Sequence, residues 1–437
     1  MFETKLERMP ITALRPCPAN ARTHSKRQIK QMAASIERFG FTNPVLVDDN
    51  LMILAGHGRV EAAKLLGMED VPVVRISHLS EADKRAYVLA DNQLALKAGW
   101  DRDLLAVELQ GLIDLNFDVG AIGFEVAEVD LILDAAREAN PAARAAPEDA
   151  LPAAQQHAVA RRGDLWQLGR HRLVCGDARD PLVYASLMPN EKAEVIFTDP
   201  PYNVPIDGFA GGKGKAERRE FAMASGEMSE PEFVSFLVAT LGPAALQCRD
   251  GAIAFVCMDW RHMRELMDAG AQVFDELKNL CVWTKSNGGM GSLYRSQHEL
   301  VFVFKKGSDA HVNNVELGRF GRNRTNVWTY AGANAFKQGR DDELAMHPTV
   351  KPVALVEDAI KDVSNRGGLV LDPFGGSGST MIAADQCGRS ARLIEIDPLY
   401  CDVMIRRFEA FTGKPATLAE TSQTFEDVAT ARLAKVA

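Results

Sequence analysis

One short apolar run that ends at two prolines constrains the fold of this 437-residue chain more than any other stretch. Residues 195–197 (Val-Ile-Phe) show no polar alternation, which predicts a strand buried on both faces of a mostly parallel sheet. The run stops just before Asp199. Because open α/β sheets bind ligands beyond the carboxyl ends of their strands, the sequence predicts Asp199 at the mouth of a cleft.

The residues after this strand predict a stiff corner with outward-facing oxygen atoms. Pro200 and Pro201 each fix their own φ and restrict the residue before them, so the carbonyls of Asp199 and Pro200 are expected to stay out of regular ladders. A carboxylate oxygen beside a fixed carbonyl suits a planar amino group with two N–H bonds, and Tyr202 offers a flat face for a heterocycle. An amine held in this way can turn its lone pair toward an electrophile. The alternative is a plain Pro-Pro turn.

A second buried-strand run, residues 368–371, ends in a glycine-rich turn. The turn contains Asp372, Phe374, Gly375, Gly376 and Gly378, and a helix is predicted from Met381 to Gln386. Glycines let the backbone approach a ligand closely where a strand meets a helix. The next predicted strand ends at Glu395, seventeen residues past Gly378, near the spacing at which an acid meets a ribose diol. A loop of this kind also serves NAD, so the glycines alone leave the ligand open.

The two motifs together resemble the beta group of DNA amino-methyltransferases, which use S-adenosylmethionine. The resemblance rests on the order in which Asp-Pro-Pro-Tyr precedes Phe-x-Gly-x-Gly, and it covers nearly all of residues 161–415. It implies a Rossmann-like, mostly parallel α/β domain in which Asp199, Pro200, Pro201 and Tyr202 are catalytic. It favours adenine N6 over cytosine N4, because the family's cytosine members more often carry Ser in place of this Asp.

The same resemblance assigns a cofactor site and requires no metal. Phe374 and Asp372 fit the methionine end of S-adenosylmethionine better than a pyrophosphate, and Asp177 is expected beside the adenine, with a helix N-cap as its alternative role. The segment 347–352 is expected to hold the cofactor's carboxylate. The expected cofactor residues are Asp177, Thr349, Lys351, Asp372, Phe374, Gly375, Gly376, Gly378 and Glu395. Four residues resemble family positions around the target-base pocket, with a role in packing as the alternative for each: Trp283, Lys285, Tyr294 and Glu299.

A basic segment between the two motifs predicts a DNA-binding surface. Residues 305–340 carry seven Lys and Arg residues against two acids, with asparagines and aromatics interleaved. Arg and Asn read base edges, and Lys and Arg contact phosphates. We therefore predict a target-recognition segment at residues 305–345, with a solvated surface insert as the alternative. The expected contacts to double-stranded DNA are Lys213 and Lys215 in the glycine-rich loop after Tyr202, and Arg319, Arg322, Arg324 and Arg340.

The N-terminal third has a different pattern. It includes a helix capped by Ser25, a strand at 51–54, the turn 56–59 (Gly-His-Gly-Arg) and a helix at 60–66, and it resembles the ParB/sulfiredoxin-type domain over about residues 8–100. A glycine turn before a helix suits an anion, with a tight structural turn as the alternative. We predict a smaller α+β domain at residues 1–137 that contacts DNA or regulates, with nucleotide or DNA as its ligand. An Ala/Pro-rich linker (138–160) and a methyltransferase domain (161–437) are predicted to follow.

Composition excludes several other classes of protein. The formal charge of −9 argues against a protein that coats nucleic acid but allows a local basic face. Seven cysteines without CxxC spacing predict buried thiols rather than disulfides or zinc. The absence of long apolar stretches predicts a cytoplasmic protein without membrane contact. A homodimer is compatible with the sequence, and the lack of a nuclease motif neither supports nor excludes a restriction-modification system. A dinucleotide-dependent oxidoreductase and a non-enzymatic, partition-like DNA binder stay as alternatives.

Overall fold

The structure is a computed structural model that describes residues 5–115, 117–139, 149–152, 155–204, 223–286, 288, 293–331 and 350–434. The chain divides into two compact units, Met1–Asn140 and Pro141–Ala437. Several predicted features lie outside the described residues: Lys213, Lys215, Arg340, Thr349 and the linker positions 140–148 and 153–154. No helix of the described residues is long and apolar enough to cross a membrane.

The N-terminal unit is built on a four-stranded sheet with the strand order β1-β4-β2-β3. Strand β1 pairs with β4 antiparallel, β2 with β4 parallel, and β2 with β3 antiparallel. The elements in chain order are β1 (Leu6–Pro10), α1 (Lys26–Phe39), β2 (Val45–Val47), β3 (Ile53–Ala55), α2 (His57–Leu65), β4 (Asp70–Arg75), α3 (Glu81–Leu96), α4 (Arg102–Asp114) and α5 (Val126–Ala139).

Three local features of this unit compare directly with the sequence. Ser25 caps α1 as predicted, because its hydroxyl accepts the N–H of Gln28 at 3.1 Å. Helix α2 begins three residues earlier than predicted, because Gly56 adopts a left-handed φ of 103° and lets the helix start at once. The Arg59 guanidinium, in the turn for which an anion was predicted, donates to the Pro44 carbonyl at 3.2 Å.

The C-terminal unit is built on a ten-stranded sheet. Its strands are β5 (Leu165–Leu168), β6 (His171–Cys175), β7 (Ala193–Thr198), β8 (Cys248–Met258), β9 (Glu276–Thr284), β10 (His298–Lys306), β11 (Val327–Thr329), β12 (Leu369–Asp372), β13 (Ser390–Glu395) and β14 (Thr417–Leu418). Its helices are α6 (Pro181–Leu187), α7 (Glu230–Leu246), α8 (Met263–Val273), α9 (Val353–Val363), α10 (Ser379–Gln386), α11 (Pro398–Thr412) and α12 (Phe425–Leu433).

The strand order of this sheet is β11-β9-β10-β8-β7-β12-β13-β6-β5-β14. The five central strands from β8 to β6 run parallel. Antiparallel pairs extend the sheet on both sides, and β11 pairs with β9 in parallel at one edge. Strands β7 and β12, which carry the two sequence motifs, are direct neighbours, with Val195 opposite Val370 and Ile196 opposite Leu371. The predicted Rossmann-like, mostly parallel α/β fold is confirmed.

Alternation along β7 divides the core into two layers. Val195 and Phe197 pack in the layer that contains α9, whereas Ile196 packs in the layer that contains α7. Because side chains two residues apart point to the same face, Asp199 continues the face that α9 covers. The end of the predicted linker belongs to this core, since Val159 and Ala160 are buried and donate their N–H groups to the Asp402 carboxylate.

Candidate active site

The corner after β7 carries a compact group of charged and aromatic side chains, which we call the corner cluster: Asp199, Tyr202, Lys285, Glu299 and Lys351. Asp199 Oδ1 accepts the Tyr202 hydroxyl at 2.6 Å, and Asp199 Oδ2 accepts from Lys351 Nζ at 2.5 Å. Lys351 Nζ also lies 3.0 Å from Glu299 Oε2, and Lys285 forms an ion pair with the same carboxylate. Two carboxylates and two ammonium groups therefore balance their charges around one tyrosine.

The sheet explains why residues so distant in sequence meet here. Glu299 stands directly opposite Trp283 in the pairing of β10 with β9, and it precedes Val301 on the face that α9 covers. Lys351 lies two residues before α9, which packs against β7 on that face. Strand alternation and one helix contact thus bring Glu299 and Lys351 to the end of β7.

The electrostatics of the corner cluster separate its two carboxyl groups. Burial raises the pKa of Asp199 above its ordinary value and Glu299 raises it further, although Lys351 opposes both effects. Burial acts on Glu299 as well, but the ammonium groups of Lys351 and Lys285 outweigh it and lower the pKa of Glu299 to about 2. Of the two carboxyl groups, Asp199 is the one that takes up a proton more readily.

The corner itself is held by Asn203, which adopts a left-handed φ of 54°. Its Oδ1 accepts the N–H groups of Gly226 and Met228 at 3.1 Å, and its Nδ2 donates to the Met228 carbonyl at 2.7 Å. Among the described residues, no group donates a hydrogen bond to the carbonyl of Pro200. Toward the described part of the chain, the Pro200 carbonyl therefore keeps its acceptor capacity.

The glycine-rich turn is joined to this corner through Asp372. The Asp372 carboxylate accepts the Thr198 hydroxyl at 2.9 Å, the Phe374 N–H at 3.0 Å and the Thr380 hydroxyl at 2.6 Å. Burial raises the pKa of Asp372 to about 7. The Asp372 oxygens tie the ends of β7 and β12 to the first turn of α10, and the predicted cofactor contact of Asp372 stays a prediction.

The glycines of this turn allow a close approach of α11. Gly378 has a left-handed φ of 82°, and a Cβ atom there would lie 2.9 Å from Met404 Cγ. A Cβ atom at Gly375 would lie 3.0 Å from Met404 Sδ. Phe374 packs against Phe236 with a ring-centroid distance of 6.2 Å. A side chain at either glycine would push the turn away from the helix.

Glu395 ends β13 beside this turn with spare acceptor capacity. Its Oε2 accepts the Gly376 N–H at 2.9 Å, and its Oε1 accepts the Asp397 N–H at 2.8 Å. Each carboxylate oxygen can accept a second hydrogen bond, so the pair suits the two hydroxyls of a ribose. Burial raises the pKa of Glu395 to about 7. This set of acceptors fits the ribose of the expected cofactor.

Asp177 lies just past β6 and is paired within its own loop. Its carboxylate accepts from Arg179 Nη2 at 2.7 Å and from the Arg179 N–H at 2.9 Å. The alternative role of helix N-cap belongs to Asp180, whose Oδ1 accepts the Leu182 N–H at 2.9 Å. Asp177 is therefore not the N-cap of α6, and a role beside the cofactor's adenine stays a prediction.

The basic segment is anchored to α9 rather than lying free. Arg322 Nη2 donates to Asp362 Oδ1 at 2.6 Å, and Arg324 Nε donates to Asp362 Oδ2 at 3.1 Å. Both guanidinium groups also contact Asp358. Arg322 is 5% exposed, whereas Arg319 lies on the surface. Arg322 and Arg324 are thus paired with carboxylates of α9, although both were predicted to contact DNA. Our proposal for phosphate contacts therefore keeps Arg319 and omits these two arginines.

Glu299 and Lys351 make contacts that the sequence did not predict, and the predicted cofactor contact of Lys351 stays a prediction. Lys351 was expected to reach the cofactor's carboxylate, but its ammonium contacts Asp199 and Glu299. A signal for Glu299 is present in the sequence, because it is a lone acid at the head of the apolar run 300–304. A charge that a buried strand carries at its end calls for a partner, and Lys351 is that partner.

Comparisons with known proteins identify three regions of the chain. Family models match a DNA methylase at residues 193–406, a ParB-methyltransferase HTH domain at residues 103–162 and a ParB N-terminal domain at residues 2–93. Helices α4 and α5 lie in the second region, where the helix-turn-helix module was not identified from the sequence.

Individual relatives cover different parts of the chain. The ParB-like nuclease domain-containing protein YnaK of Escherichia coli (strain K12) is 48% identical over 81 residues, which are 18% of this chain and 93% of that protein. The DNA adenine methyltransferase YhdJ of the same organism is 25% identical over 264 residues, which are 54% of this chain and 82% of that protein. The structure of the PvuII DNA methyltransferase (cytosine-N4-specific) aligns with a TM-score of 0.43 and 15% identity over 63% of this chain and 94% of that chain.

Proposed function

Because the chain belongs to the family of N6/N4 DNA methylases and carries a ParB N-terminal domain, we propose that it methylates the exocyclic N6 amine of adenine in DNA. The cofactor of the reaction is S-adenosyl-L-methionine. The observation that carries the proposal is the Asp199 carboxylate beside the Pro200 carbonyl in a fixed corner. Asp, rather than Ser, at this position favours adenine over cytosine.

The corner holds the amine of an extruded base. A base inside a duplex hides its amino group, so the target must leave the stack. One amine N–H then donates to the Asp199 carboxylate and the other to the Pro200 carbonyl, while the Tyr202 ring faces the base. Tyr202 is itself oriented by its hydrogen bond to Asp199. Two fixed acceptors turn the nitrogen lone pair out of conjugation with the ring and make it nucleophilic.

The transfer step balances with Asp199 as the proton acceptor. When bound, the cofactor supplies an electrophilic methyl group on a sulfonium. The amine nitrogen would accept this methyl group, and the electron pair of the former S–CH₃ bond would stay on the cofactor's sulfur. One amine proton is then in surplus and passes to an Asp199 oxygen, from which it leaves to solvent. The raised pKa of Asp199 suits this late acceptance better than removal of a proton before the transfer.

Cofactor affinity should depend on the protonation of Glu395. Because burial raises the pKa of Glu395 to about 7, its acceptors are ionised at pH 8 and mostly protonated at pH 6. We expect the Kd for S-adenosylmethionine to be about tenfold higher at pH 6 than at pH 8. Calorimetry on wild type and Glu395→Gln measures this, and the variant should bind weakly with a smaller pH dependence. An unchanged wild-type Kd would remove Glu395 from the ribose site.

The proposed reaction is tested by analysing the nucleosides that the purified chain modifies. Duplex DNA is incubated with cofactor carrying a deuterated methyl group, digested and examined by mass spectrometry. Labelled N6-methyldeoxyadenosine is the expected product. Labelled N4-methyldeoxycytidine would show that the target base is cytosine rather than adenine. DNA without label would favour the non-enzymatic, partition-like DNA binder. Sequencing of the modified DNA then gives the recognition site.

The proposal extends to the domains of the chain and to its DNA contacts. We propose residues 161–437 as the methyltransferase domain, with 305–345 as its recognition segment, and residues 1–137 as a DNA-contacting or regulatory domain. Arg319 is the described residue proposed for phosphate contact. Its guanidinium lies on an exposed surface, 3.3 Å from Glu316 and 5.3 Å from the centre of the Phe320 ring. A homodimer stays a prediction.

A further inference from the structure

The Lys351 ammonium is the centre of the corner cluster. Its three N–H bonds have three acceptors within reach: Asp199 Oδ2 at 2.5 Å, Glu299 Oε2 at 3.0 Å and the Tyr202 oxygen at 3.2 Å. The side chain is 5% exposed, and Nζ lies 5.5 Å from the centre of the Tyr202 ring. A buried ammonium with all its donors engaged stabilises both carboxylates, and it has no donor left for a ligand.

Glu299 determines where this ammonium sits. Without a second carboxylate, Lys351 would pair with Asp199 alone and hold it as a strong ion pair. With Glu299 at 3.0 Å, the ammonium is shared, and Glu299 keeps its own negative charge because Lys285 supports it. When Asp199 becomes neutral, Lys351 therefore still has an ionised partner. The arrangement lets Asp199 change its charge without leaving a buried cation unpaired.

We propose that Lys351 and Glu299 are positioning residues for methyl transfer: Lys351 keeps Asp199 ionised and oriented toward the amine, and Glu299 holds Lys351 so that Asp199 can take the amine proton. The inference rests on the proposed function, since it assigns these roles within that reaction. It differs from the role that the sequence assigns to Lys351, which is a contact with the cofactor's carboxylate. The two roles predict different measurements.

The test compares Lys351→Met and Glu299→Gln by their pH profiles of kcat and by their Kd for S-adenosylmethionine. Removing the cation raises the pKa of Asp199, so the acid limb of the Lys351→Met profile should move up by about one pH unit. Removing the acid lowers the pKa of Asp199, so the acid limb of Glu299→Gln should move down by a similar amount. Rates should fall by about a hundredfold for Lys351→Met and about tenfold for Glu299→Gln, with the cofactor Kd changed by less than about threefold in both.

Matched controls come from β9, where Lys278 Nζ pairs with Glu276 Oε1 at 3.0 Å on the surface. Lys278→Met and Glu276→Gln make the same chemical changes away from the corner and should leave the profile unmoved. A tenfold rise in cofactor Kd for Lys351→Met with an unmoved acid limb would make Lys351 a cofactor ligand and overturn the inference. Shifts in the same direction, or none, would also overturn it.

The test stays decisive in two cases, when a variant does not fold and when the chain does not methylate DNA. If Lys351→Met does not fold, the downward shift of Glu299→Gln decides alone, because a purely structural acid gives no such shift. If the wild-type chain does not methylate DNA, the proposed function fails while the inference is still tested. The pKa of Asp199, measured by carbon-13 NMR of the full aspartate-labelled chain, must then rise in Lys351→Met and fall in Glu299→Gln.

Discussion

Asp199→Ala should abolish methyl transfer, lowering its rate by about a thousandfold or more. The substitution removes both an acceptor for the amine and the only corner carboxyl that takes up a proton readily. The cofactor Kd should change by less than about threefold, because the ribose acceptors lie on Glu395 and the turn is held by Asp372. Single-turnover assays with labelled cofactor measure the rate, and calorimetry measures the Kd.

The variant is expected to fold, because Lys351 keeps Glu299 as a partner when Asp199 is lost. Asp199→Asn separates the two roles of the carboxylate, since an amide oxygen still accepts an N–H but does not take a proton. We expect this variant to retain more activity than Asp199→Ala. Asp268→Ala, which removes an exposed aspartate from α8, is the surface control. Turnover in Asp199→Ala within tenfold of wild type would remove Asp199 from the mechanism.

The parts of the fold that local pattern determines could be predicted from the sequence. The run before Asp199 predicted β7, and the run before Asp372 predicted β12, because uninterrupted apolar runs that stop at polar residues are typical of buried parallel strands. The hairpin of β5 and β6 is also a local feature, because its two strands are joined directly by Gly169 and Arg170. The two strands are neighbours in the sheet, and the Thr198–Asp372 hydrogen bond joins their ends.

Contacts between residues far apart in the sequence could not be predicted in this way. The basic composition near Arg322 predicted a DNA-binding surface. However, the partners of Arg322 are Asp358 and Asp362 on α9, more than thirty residues later in the chain. The cofactor contact of Lys351 was predicted from the neighbouring residues in the sequence. The direction of its side chain depends on how α9 packs against β7. A charge count along the chain does not show which charges neutralise one another in the folded protein.

Asp372→Ala should have the largest effect on stability among the site residues, lowering the free energy of unfolding by about 3 kcal/mol. Three donors lose their acceptor at once, namely the hydroxyls of Thr198 and Thr380 and the N–H of Phe374. The glycine-rich turn should loosen as well, so the cofactor Kd should rise by at least about tenfold. Urea unfolding and calorimetry measure the two effects.

The pH dependence of the Asp372→Ala effect tests its cause. Because the folded pKa of Asp372 is raised to about 7, its carboxyl stabilises the fold most below the ordinary aspartate pKa, and that contribution is lost as pH rises through 7. The destabilisation should therefore be about 1 kcal/mol larger at pH 6 than at pH 8. Asp180→Ala, which removes only the exposed N-cap of α6, should cost about 1 kcal/mol at both values. An Asp372→Ala effect as small as this control would mean that the two strand ends are joined by packing alone.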